Sequence, residues 1–375
     1  MKSARFRFRF YPTKDQASQL AKTFGCVRVA FNRSLHTKAT AYRERQENVS
    51  YADLDKELTA LKKAEGMEWL QDVSTVPLQQ AVRNLDKAYN AFFRKQNRFP
   101  RFKRKGNRQS ATYTIRGFSM LGSPDPFRPL VKLAKQKEHL DIRWSRPLPS
   151  SPKSLTVVKE PDGRYYISFV VEIDPTPLPK TKAAVGIDLG LTDVYVTSDG
   201  YHSGNPRHFR KTQEKLKRAQ RVLSRRVKGS GRWHRQRMKV AALHRRVRDQ
   251  RADFLHKASI NIVRKYDTIC LEDLNIRGIV KNHSLAKSIS DAGWGSFVQM
   301  LEYKADWYGK EVVKVDRWYP SSKTCFNCGH VVGKLPLNIR TWECPTCKTK
   351  HDRDVNAAMN IRTVGQAAAM RVEAG

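Results

Sequence analysis

The sequence is poor in acidic residues. Its 375 residues include 35 Asp or Glu against 72 Lys or Arg, which gives a formal net charge of +37 at pH 7 and an isoelectric point near 10.2. A charge this far from zero lies outside the range of ordinary enzymes and demands a polyanionic partner. Nucleic acid is the first candidate, and an anionic membrane is the second.

Long apolar runs are missing as well. No run approaches the roughly 20 residues of a membrane-spanning helix, and the first residues lack the apolar core of a secretory signal. The basic residues are spread over the whole chain instead of one amphipathic helix, which disfavours a membrane partner. We therefore expect a cytoplasmic protein. Hydrophobic residues make up 39% of the chain, enough for a globular protein of two or three domains.

Cysteine is scarce, but its spacing is informative. Four of the six cysteines form two C-x-x-C pairs, which are Cys325 with Cys328 and Cys344 with Cys347. Two such pairs suit one tetrahedral zinc ion, whereas disulfides would need an oxidising compartment. A site closed by four sulfurs leaves no open position, so we expect Zn²⁺ to be structural. The remaining two, Cys26 and Cys270, lie in apolar stretches and are expected to be buried.

The first half of the chain predicts a small β-barrel interrupted by helices. Residues 4–10 alternate between apolar residues and Arg, as in a half-buried strand with a cationic outer face. That face fits an edge strand protected by charge as well as it fits contact with nucleic acid. A capping box at residues 13–16 opens a long helical region, and a hairpin signature follows at residues 161–163. The proline-rich residues 174–180 predict a domain boundary.

Two stretches carry basic residues in patterns that suit nucleic acid. Residues 91–106 interleave phenylalanines with cations, which suits base stacking and phosphate pairing; a solvated loop with packed phenylalanines is the alternative. Residues 207–251 contain eighteen Lys or Arg against two acids and predict two helices broken at residues 229–231. The predicted nucleic-acid contacts are Arg94, Lys95, Arg98, Arg101, Lys103, Arg104, Lys105, Arg218, Arg221, Arg225 and Arg226.

Three carboxylates of the second half stand at the ends of predicted elements. Asp188 and Glu272 each end a buried strand, and Asp354 begins a helix of small residues directly after the cysteine pairs. Acids gain nothing electrostatically in a phosphate-binding groove unless they hold metal ions. Paired Mg²⁺ ions on Asp and Glu can activate water and stabilise the leaving oxygen of a phosphodiester. A GIDLG strand alone also fits phosphate-binding ATPases, so the prediction depends on all three acids.

These motifs resemble the TnpB family, the RNA-guided DNA endonucleases that insertion sequences encode and that are related to type V CRISPR effectors. The resemblance spans essentially the whole chain. Its motifs are G-I-D-L-G-L at 186–191, L-E-D-L-N at 271–275, S-I-S-D-A-G-W-G at 288–295, Y-P-S-S-K-T-C-x-x-C-G at 319–329, H-D-R-D-V-N-A-A at 351–358 and F-P-R-F-K-R-K at 99–105.

The resemblance implies an α+β multidomain protein. A wedge-like β-barrel with a helical recognition insertion would precede a RuvC nuclease domain, which has an RNase H-like α/β fold and an inserted four-cysteine zinc ribbon. The expected domains are the barrel at 1–12 and 101–178, the helical insertion at 13–100, the nuclease domain at 181–320 and 349–364, the ribbon at 321–348 and a C-terminal tail at 365–375.

The resemblance also implies roles for the acids. Asp188, Glu272 and Asp354 would be the catalytic triad that binds Mg²⁺ or Mn²⁺. Asp352 is the second candidate for the last position, less favoured because the family motif places the acid two residues before an asparagine, here Asn356. The two arginine-rich helices at residues 207–251 would contact the RNA or the RNA–DNA heteroduplex. Trp294 would pack against them, with a position in the core as the alternative.

The implied activity is cleavage of double-stranded target DNA. A guide RNA from the transposon end would pair with one DNA strand beside a short adjacent motif, and the displaced strand would enter the nuclease groove. A transposase that cuts and joins transposon ends without RNA is one alternative. A DNA-binding or RNA-guided repressor without cleavage is another, but a repressor could lose its acids, and all three are present.

Overall fold

The computed structural model describes residues 1–122, 127–336 and 338–373. The chain divides into two compact units, Met1–Asp174 and Pro175–Gly375. The division falls at the first residue of the proline-rich stretch that the sequence marks. Within the described residues, none of the helices has the length and apolar character to cross a membrane.

The first unit begins with a strand, continues with helices and ends with further strands. Its helices are α1 (Lys14–Arg45), α2 (Tyr51–Leu61) and α3 (Thr75–Phe93), with short 3₁₀ turns at Glu68–Asp72 and Ile115–Gly117. Its strands are β1 (Lys2–Phe10), β2 (Gln109–Thr114), β3 (Phe118–Leu121), β4 (Leu130–Leu133), β5 (Ile142–Arg143), β6 (Ser154–Lys159) and β7 (Tyr165–Ile173).

Strand β1 shows the predicted alternation. Phe8 and Phe10 are buried, whereas Arg5 and Arg7 are exposed. One side of β1 pairs along its whole length with β7, and the other pairs with β5 only at Arg9 and Phe10. Most of that second side is therefore a sheet edge, which its exposed arginines protect from pairing with other chains. The predicted capping box of α1 is also present at Thr13 and Gln16.

The described strands do not close into the predicted barrel through backbone hydrogen bonds. They form an open antiparallel sheet in the order β2–β6–β7–β1–β5, and β3 pairs with β4 in a separate hairpin. Strand β5 spans two residues, too few to continue the ladder to another strand. The predicted hairpin at residues 161–163 is confirmed, because it joins β6 to β7 and places Gly163 at φ 84°.

The second unit is a mixed sheet covered by helices and followed by small hairpin strands. Its strands are β8 (Ala184–Asp188), β9 (Val196–Thr197), β10 (Thr268–Glu272), β11 (Glu311–Val315), β12 (Thr341–Glu343) and β13 (Lys350–Asp352). Its helices are α4 (His208–Ser224), α5 (Gly231–Lys265), α6 (Ile276–Ile279), α7 (His283–Ala292), α8 (Trp294–Tyr308) and α9 (Arg353–Glu373).

The larger sheet of this unit has the order β11–β10–β8–β9. Strand β10 is parallel to both β8 and β11, and β9 is antiparallel to β8. The central strands are apolar on both faces, as expected for parallel strands covered on both sides. Val185, Ile187, Ile269 and Leu271 pack into one buried cluster with residues of α5 and α8. On the other face, Cys270 packs with residues of α9.

Helix α9 lies unusually close to the sheet. A Cβ atom added at Gly186 of β8 would sit 1.9 Å from the backbone oxygen of Ala358 in α9. A Cβ atom at Gly365 of α9 would likewise sit 2.4 Å from Sγ of Cys270. At Gly186 a side chain would meet the backbone of α9, and at Gly365 it would meet the side chain of Cys270, so both positions favour glycine. The sequence therefore fixes α9 against the sheet at two points.

The basic helices show the predicted break. At residues 229–231, Gly229 has φ 90°, and the Ser230 side chain accepts a hydrogen bond from the Trp233 N–H at the start of α5. Helix α5 then runs without interruption to Lys265. Its first part is largely exposed, and its last part buries Leu255 and Val263 against the sheet.

Candidate active site and zinc site

Asp188 and Glu272 meet at one edge of the parallel sheet. They are the last residues of the neighbouring strands β8 and β10, directly after the paired residues Ile187 and Leu271. Side chains alternate along a strand, so both acids face the side that α9 covers. Asp354 lies in the first turn of α9. Strand order and helix position thus bring the three predicted acids to the same place.

The electrostatics confirm that these carboxyl groups interact. Burial and, to a smaller extent, the charges of Glu272 and Asp354 together raise the pKa of Asp188 to about 8. Burial also raises the pKa of Glu272, while a hydrogen bond from Ser321 Oγ to Glu272 Oε1 (2.5 Å) opposes this shift. A buried acid whose charge is disfavoured by two neighbouring carboxylates fits a hard divalent cation, which would relieve that repulsion.

The structure distinguishes Asp354 from its rival Asp352. Asp352 Oδ1 accepts hydrogen bonds from the backbone N–H groups of Asp354 and Val355, both at 2.9 Å. Asp352 thus satisfies the free N–H groups at the start of α9, as an N-cap residue does. Asp354, one residue into the helix, is the acid whose charge acts on Asp188.

Arg340 is a site residue that the sequence motifs did not indicate. Its Nη1 lies 3.2 and 3.3 Å from the two carboxylate oxygens of Asp354, and its Nη2 lies 3.2 Å from Oγ1 of Thr192. Its backbone oxygen accepts the N–H of Arg353 at 2.8 Å, which fixes it to the start of α9. A single arginine outside any motif gives no sequence signal, so only the folded chain reveals this contact.

The four predicted zinc ligands lie together. Their Sγ atoms are all within 4.8 Å of one another, and two pairs, Cys325 with Cys347 and Cys328 with Cys344, are 3.6 Å apart. Tetrahedral zinc with Zn–S bonds of about 2.3 Å would separate its sulfurs by about 3.8 Å. The thiols therefore fit zinc. Among the His, Cys, Asp and Glu side chains of the described residues, these four cysteines form the compact group that could hold a metal ion.

The two cysteine pairs have the same backbone geometry. In the first, the N–H of Cys325 donates to the oxygen of His330, and the N–H of Gly329 donates to the oxygen of Cys325. The second repeats both bonds at the same spacing, from Cys344 to Thr349 and from Lys348 to Cys344. The residue after each pair has a positive φ, 75° at Gly329 and 62° at Lys348. The backbone alone therefore directs the thiols inward.

Side chains connect the zinc site to α9. The buried Asn356 accepts the N–H of Phe326 at 3.0 Å and donates to the oxygen of Thr324 at 2.8 Å, so it holds both sides of Cys325. Asn360 donates to the same Thr324 oxygen at 2.6 Å. His351, which the sequence did not single out, places Nε2 3.1 Å from Cys325 Sγ. The cysteine site and the helix that carries Asp354 are thus one connected structure.

Most of the predicted nucleic-acid contacts are exposed. These are Arg94, Lys95, Arg98, Arg101, Arg104 and Lys105 in the first unit, with Arg218, Arg221, Arg225 and Arg226 in the second. Lys103 differs, because its Nζ lies 4.0 Å from the ring centre of Phe31, and burial lowers the pKa of Lys103 to about 8. Phe99 packs edge-on against Phe92 although it is 46% exposed, and Phe93 and Phe102 are exposed as well, so contact of this stretch with nucleic acid stays a prediction.

Trp294 occupies the core, the alternative noted from the sequence. It is 7% exposed and belongs to the buried cluster of α5, α8 and the sheet. Its Nε1 donates to the backbone oxygen of Gly190 at 3.2 Å. Because Gly190 follows Asp188 by two residues, this bond helps to hold the chain where it leaves the candidate active site.

Three family models match the chain. They are described as "Cas12f1-like, TNB domain" at residues 294–361, "Probable transposase" at residues 168–283 and "Helix-turn-helix domain" at residues 1–47. The first covers the cysteine pairs and Asp354, and the second covers Asp188 and Glu272. The third covers β1 and α1, which here form a strand and one long helix.

Relatives match over most of the chain. A protein of Streptomyces pristinaespiralis named "Putative RNA-guided DNA endonuclease" is 48% identical over 97% of this chain and 89% of its own. The Escherichia coli protein "Putative RNA-guided DNA endonuclease InsQ" is 31% identical over 96% of this chain and 92% of its own. A "TnpB-like protein" of Acanthamoeba polyphaga mimivirus is 31% identical over 59% of this chain and 45% of its own.

A solved structure shares the fold. The Cas12f1 chain in a cryo-EM structure of a Cas12f1–sgRNA–target DNA complex matches with a TM-score of 0.60, covering 93% of this chain and 83% of that one. The two sequences are 14% identical. At that identity the likeness concerns the fold alone.

Proposed function

Because the chain belongs to the TnpB family, we propose that it is an RNA-guided, metal-dependent DNA endonuclease. The membership is shown by 48% identity to the Streptomyces protein over 97% of this chain. The observation that carries the activity is the meeting of Asp188, Glu272 and Asp354 at one sheet edge in a protein of net charge +37. Acids brought together in so basic a chain suit metal ions that act on phosphodiesters.

We assign most of the second unit to a RuvC-like nuclease domain with an RNase H-like fold. Its support is the order β11–β10–β8–β9, with parallel central strands and acids at their ends. Residues 321–348 would be the zinc ribbon inserted in this domain. In the first unit, the open sheet would be the wedge-like part, and α1 to α3 would be the recognition insertion.

Asp188, Glu272 and Asp354 would hold two Mg²⁺ or Mn²⁺ ions, which when bound supply an activated water and stabilise the leaving oxygen. Ser321 orients the Glu272 carboxylate through its hydrogen bond. Asp352 fixes the first turn of α9 and so the position of Asp354. Arg340 would share Asp354 with a bound cation, and its planar guanidinium also suits a phosphate of the substrate.

The four cysteines would bind one structural Zn²⁺. The support is the compact thiol group and the repeated backbone geometry around it. Four sulfurs complete a tetrahedral site, so this ion would stabilise the fold without reacting. Its place in the chain lets it stabilise the start of α9.

A guide RNA from the transposon end would pair with one strand of double-stranded target DNA, next to a short adjacent motif. This pairing supplies the sequence specificity, so the protein needs contacts that tolerate any sequence. The exposed cations of α4 and of residues 94–105 suit such contacts with phosphates. We place this activity in the cytoplasm.

A DNA transposase is the second candidate. The match of residues 168–283 to a family model described as "Probable transposase" favours it. Such an enzyme would cut and join transposon ends without RNA. A repressor that does not cut is less well supported, because it would have no use for three acids at one sheet edge.

The decisive experiment combines RNA sequencing with a cleavage assay. The protein is expressed beside its native flanking DNA, the RNA that co-purifies is sequenced, and that RNA is supplied with matched DNA and Mg²⁺. We expect one dominant RNA that ends in a variable segment, and cutting directed by that segment. RNA-independent joining of DNA ends would support the transposase instead.

Two variants test the active site in the same assay. Asp188→Asn should lower the cutting rate by about 10³-fold or more, while RNA binding stays unchanged. Asp352→Asn is the matched control, because asparagine also caps helices and should preserve α9 and the cutting rate. Cutting that survives Asp188→Asn would refute the assignment.

A further inference from the structure

A short turn after β11 lies beside Glu272. It covers residues 316–321, between β11 and the first cysteine pair. At its end, Ser321 donates a hydrogen bond to Glu272. At its start, the backbone oxygen of Val315 accepts the N–H of Asp273, the residue after Glu272, at 2.9 Å. The turn is thus fixed on both sides of a candidate catalytic acid.

Hydrogen bonds, an ion pair and packing hold the residues on both sides of Trp318. Asp316 Oδ1 accepts the backbone N–H of Trp318 at 2.7 Å, and Arg317 Nη2 lies 2.6 Å from Asp273 Oδ2. Tyr319 packs into the apolar cluster beneath α9. The Trp318 side chain, by contrast, is 84% exposed, more than any other aromatic side chain in the described ranges. A rigid turn therefore holds one large aromatic ring in water.

A cleft of about 570 Å³ opens beside the turn and includes the catalytic candidate. Its lining includes Glu272, Asp273, Asn275, Gln299, Lys314 and Arg317. Both cations in that lining are already paired, Lys314 with Glu302 at 2.8 Å and Arg317 with Asp273. Paired cations attract phosphate less than free ones do, so a strand that passes here needs another kind of contact.

We propose that the Trp318 ring stacks on an unpaired base of the DNA strand that is cut beside Glu272. The proposal rests on the endonuclease function above and names the contact that holds its substrate strand. Stacking on an aromatic ring tolerates sequence, because every base has a π-face. A guide-directed nuclease needs this tolerance, since pairing with the RNA reads the sequence and the site must accept any base.

A protein partner is the other class of molecule that covers exposed aromatic rings. The cores of protein interfaces are depleted of charged residues. Trp318 instead follows the exposed, charged residues Asp316 and Arg317. This setting and the bonds that tie the turn to Glu272 favour the substrate strand.

The first test removes each half of the proposed stack in turn. Single-turnover cutting is measured on guide-matched DNA in which single nucleotides of the displaced strand lack their base. At one position near the cut, the missing base should slow the wild-type protein by about 5- to 150-fold, the range for one base–aromatic stack. Trp318→Ala should slow cutting of intact DNA by a similar factor. The two changes together should slow it no further.

Two control variants accompany this test. Trp318→Phe keeps an aromatic face and should retain most of the rate. Tyr42→Ala removes an exposed ring from α1 and should leave both the rate and the effect of the missing base unchanged. Because Trp318 is exposed, its replacement should preserve zinc content and melting temperature. Additive slowing by Trp318→Ala and the missing base would overturn the proposal.

A second test reports the contact without cutting. The fluorescent base 2-aminopurine is placed at the sensitive position and bound by the Asp188→Asn protein, where stacking on Trp318 should quench it. Adding Trp318→Ala should restore the fluorescence. Quenching that persists without Trp318, or quenching of 2-aminopurine in the guide RNA instead, would refute the proposal.

The fluorescence test also separates the two hypotheses. If the wild-type protein cuts no guide-matched DNA, the proposed endonuclease function fails. Trp318-dependent quenching of 2-aminopurine in single-stranded DNA would then still support the stack. If the protein cuts normally and Trp318→Ala changes neither rate nor fluorescence, only the stack is wrong.

Discussion

The two candidate metal sites of the second unit, the four thiols and the three acids, differ in how completely the protein positions their ligands. The four thiols converge through short backbone turns that are alike in both cysteine pairs. The three acids come from β8, β10 and α9. Glu272 and Asp354 disfavour the charge of Asp188, and Asp354 is also paired with Arg340. The backbone positions the four thiols for a metal ion, whereas the three carboxylates are charged groups that only lie near one another.

This difference matches the work proposed for each region. A structural ion must stay bound, so its ligands gain from a backbone that places them in advance. Ions that take part in a reaction must admit water and substrate, so a site with partly exposed carboxylates serves better. The same difference predicts how each region responds when it is damaged.

Replacing Cys325 should have the largest effect, because it damages both regions. Cys325→Ser should abolish zinc binding and lower the melting temperature by roughly 10 °C, since metal binding and local folding are coupled. Cutting should be lost as well, because Asn356 ties this knuckle to the helix of Asp354. Metal analysis, thermal unfolding and cleavage assays measure the three effects. Cys26→Ala, at a buried cysteine of the first unit, should leave zinc unchanged. Full zinc content in Cys325→Ser would contradict the assignment of Cys325 as a zinc ligand.

Removing Asn356, which joins the cysteine site to α9, should have a smaller effect and should affect cutting without affecting zinc binding. Asn356→Ala removes the buried partner of the Phe326 N–H and the Thr324 oxygen. It should lower the free energy of unfolding by about 1–3 kcal/mol, the cost of leaving such groups unpaired. We expect zinc to stay bound while cutting slows. Asn327→Ala, which removes an exposed hydrogen bond from the same knuckle, is the control. If Asn356→Ala lost zinc and cutting activity to the same extent, the prediction that zinc binding does not depend on Asn356 would be wrong.

The third expected effect is a pH dependence of stability that comes from Asp188. Folded Asp188, with a pKa near 8, retains a proton that the unfolded chain releases above about pH 4. The folded state therefore binds more protons in this window, and its stability should fall as pH rises from about 4 towards 8 without Mg²⁺. Urea unfolding of the wild type and of Asp188→Asn at several pH values measures the difference. A parallel response of the two proteins would mean that Asp188 is not the group responsible.

Local chemistry explains which features the sequence could predict. Alternating residues of β1, the Pro-Asp-Gly turn and the glycines before α5 each act within a few positions of the chain, and the structure confirms all three. The cysteine pairs were predictable for the same reason, because each knuckle is a local turn. The family motif favoured Asp354 over Asp352, and the capping bonds of Asp352 supply the physical reason.

Features that depend on distant parts of the chain were missed. Arg340 reaches Asp354 and Thr192 only because the ribbon folds back on α9. Closure of a barrel depends on pairing between edge strands, and the short β5 does not provide it.

The close seat of α9 against Gly186 has a consequence for the order of synthesis. The residues of α9 are synthesised after β8, β10 and the cysteine pairs, so Asp188 and Glu272 are made before Asp354. Asp354 reaches the other two acids only when α9 docks against Gly186 and Cys270. Under the proposed function, a chain whose synthesis stops before α9 would lack one of the three acids and would not cut DNA.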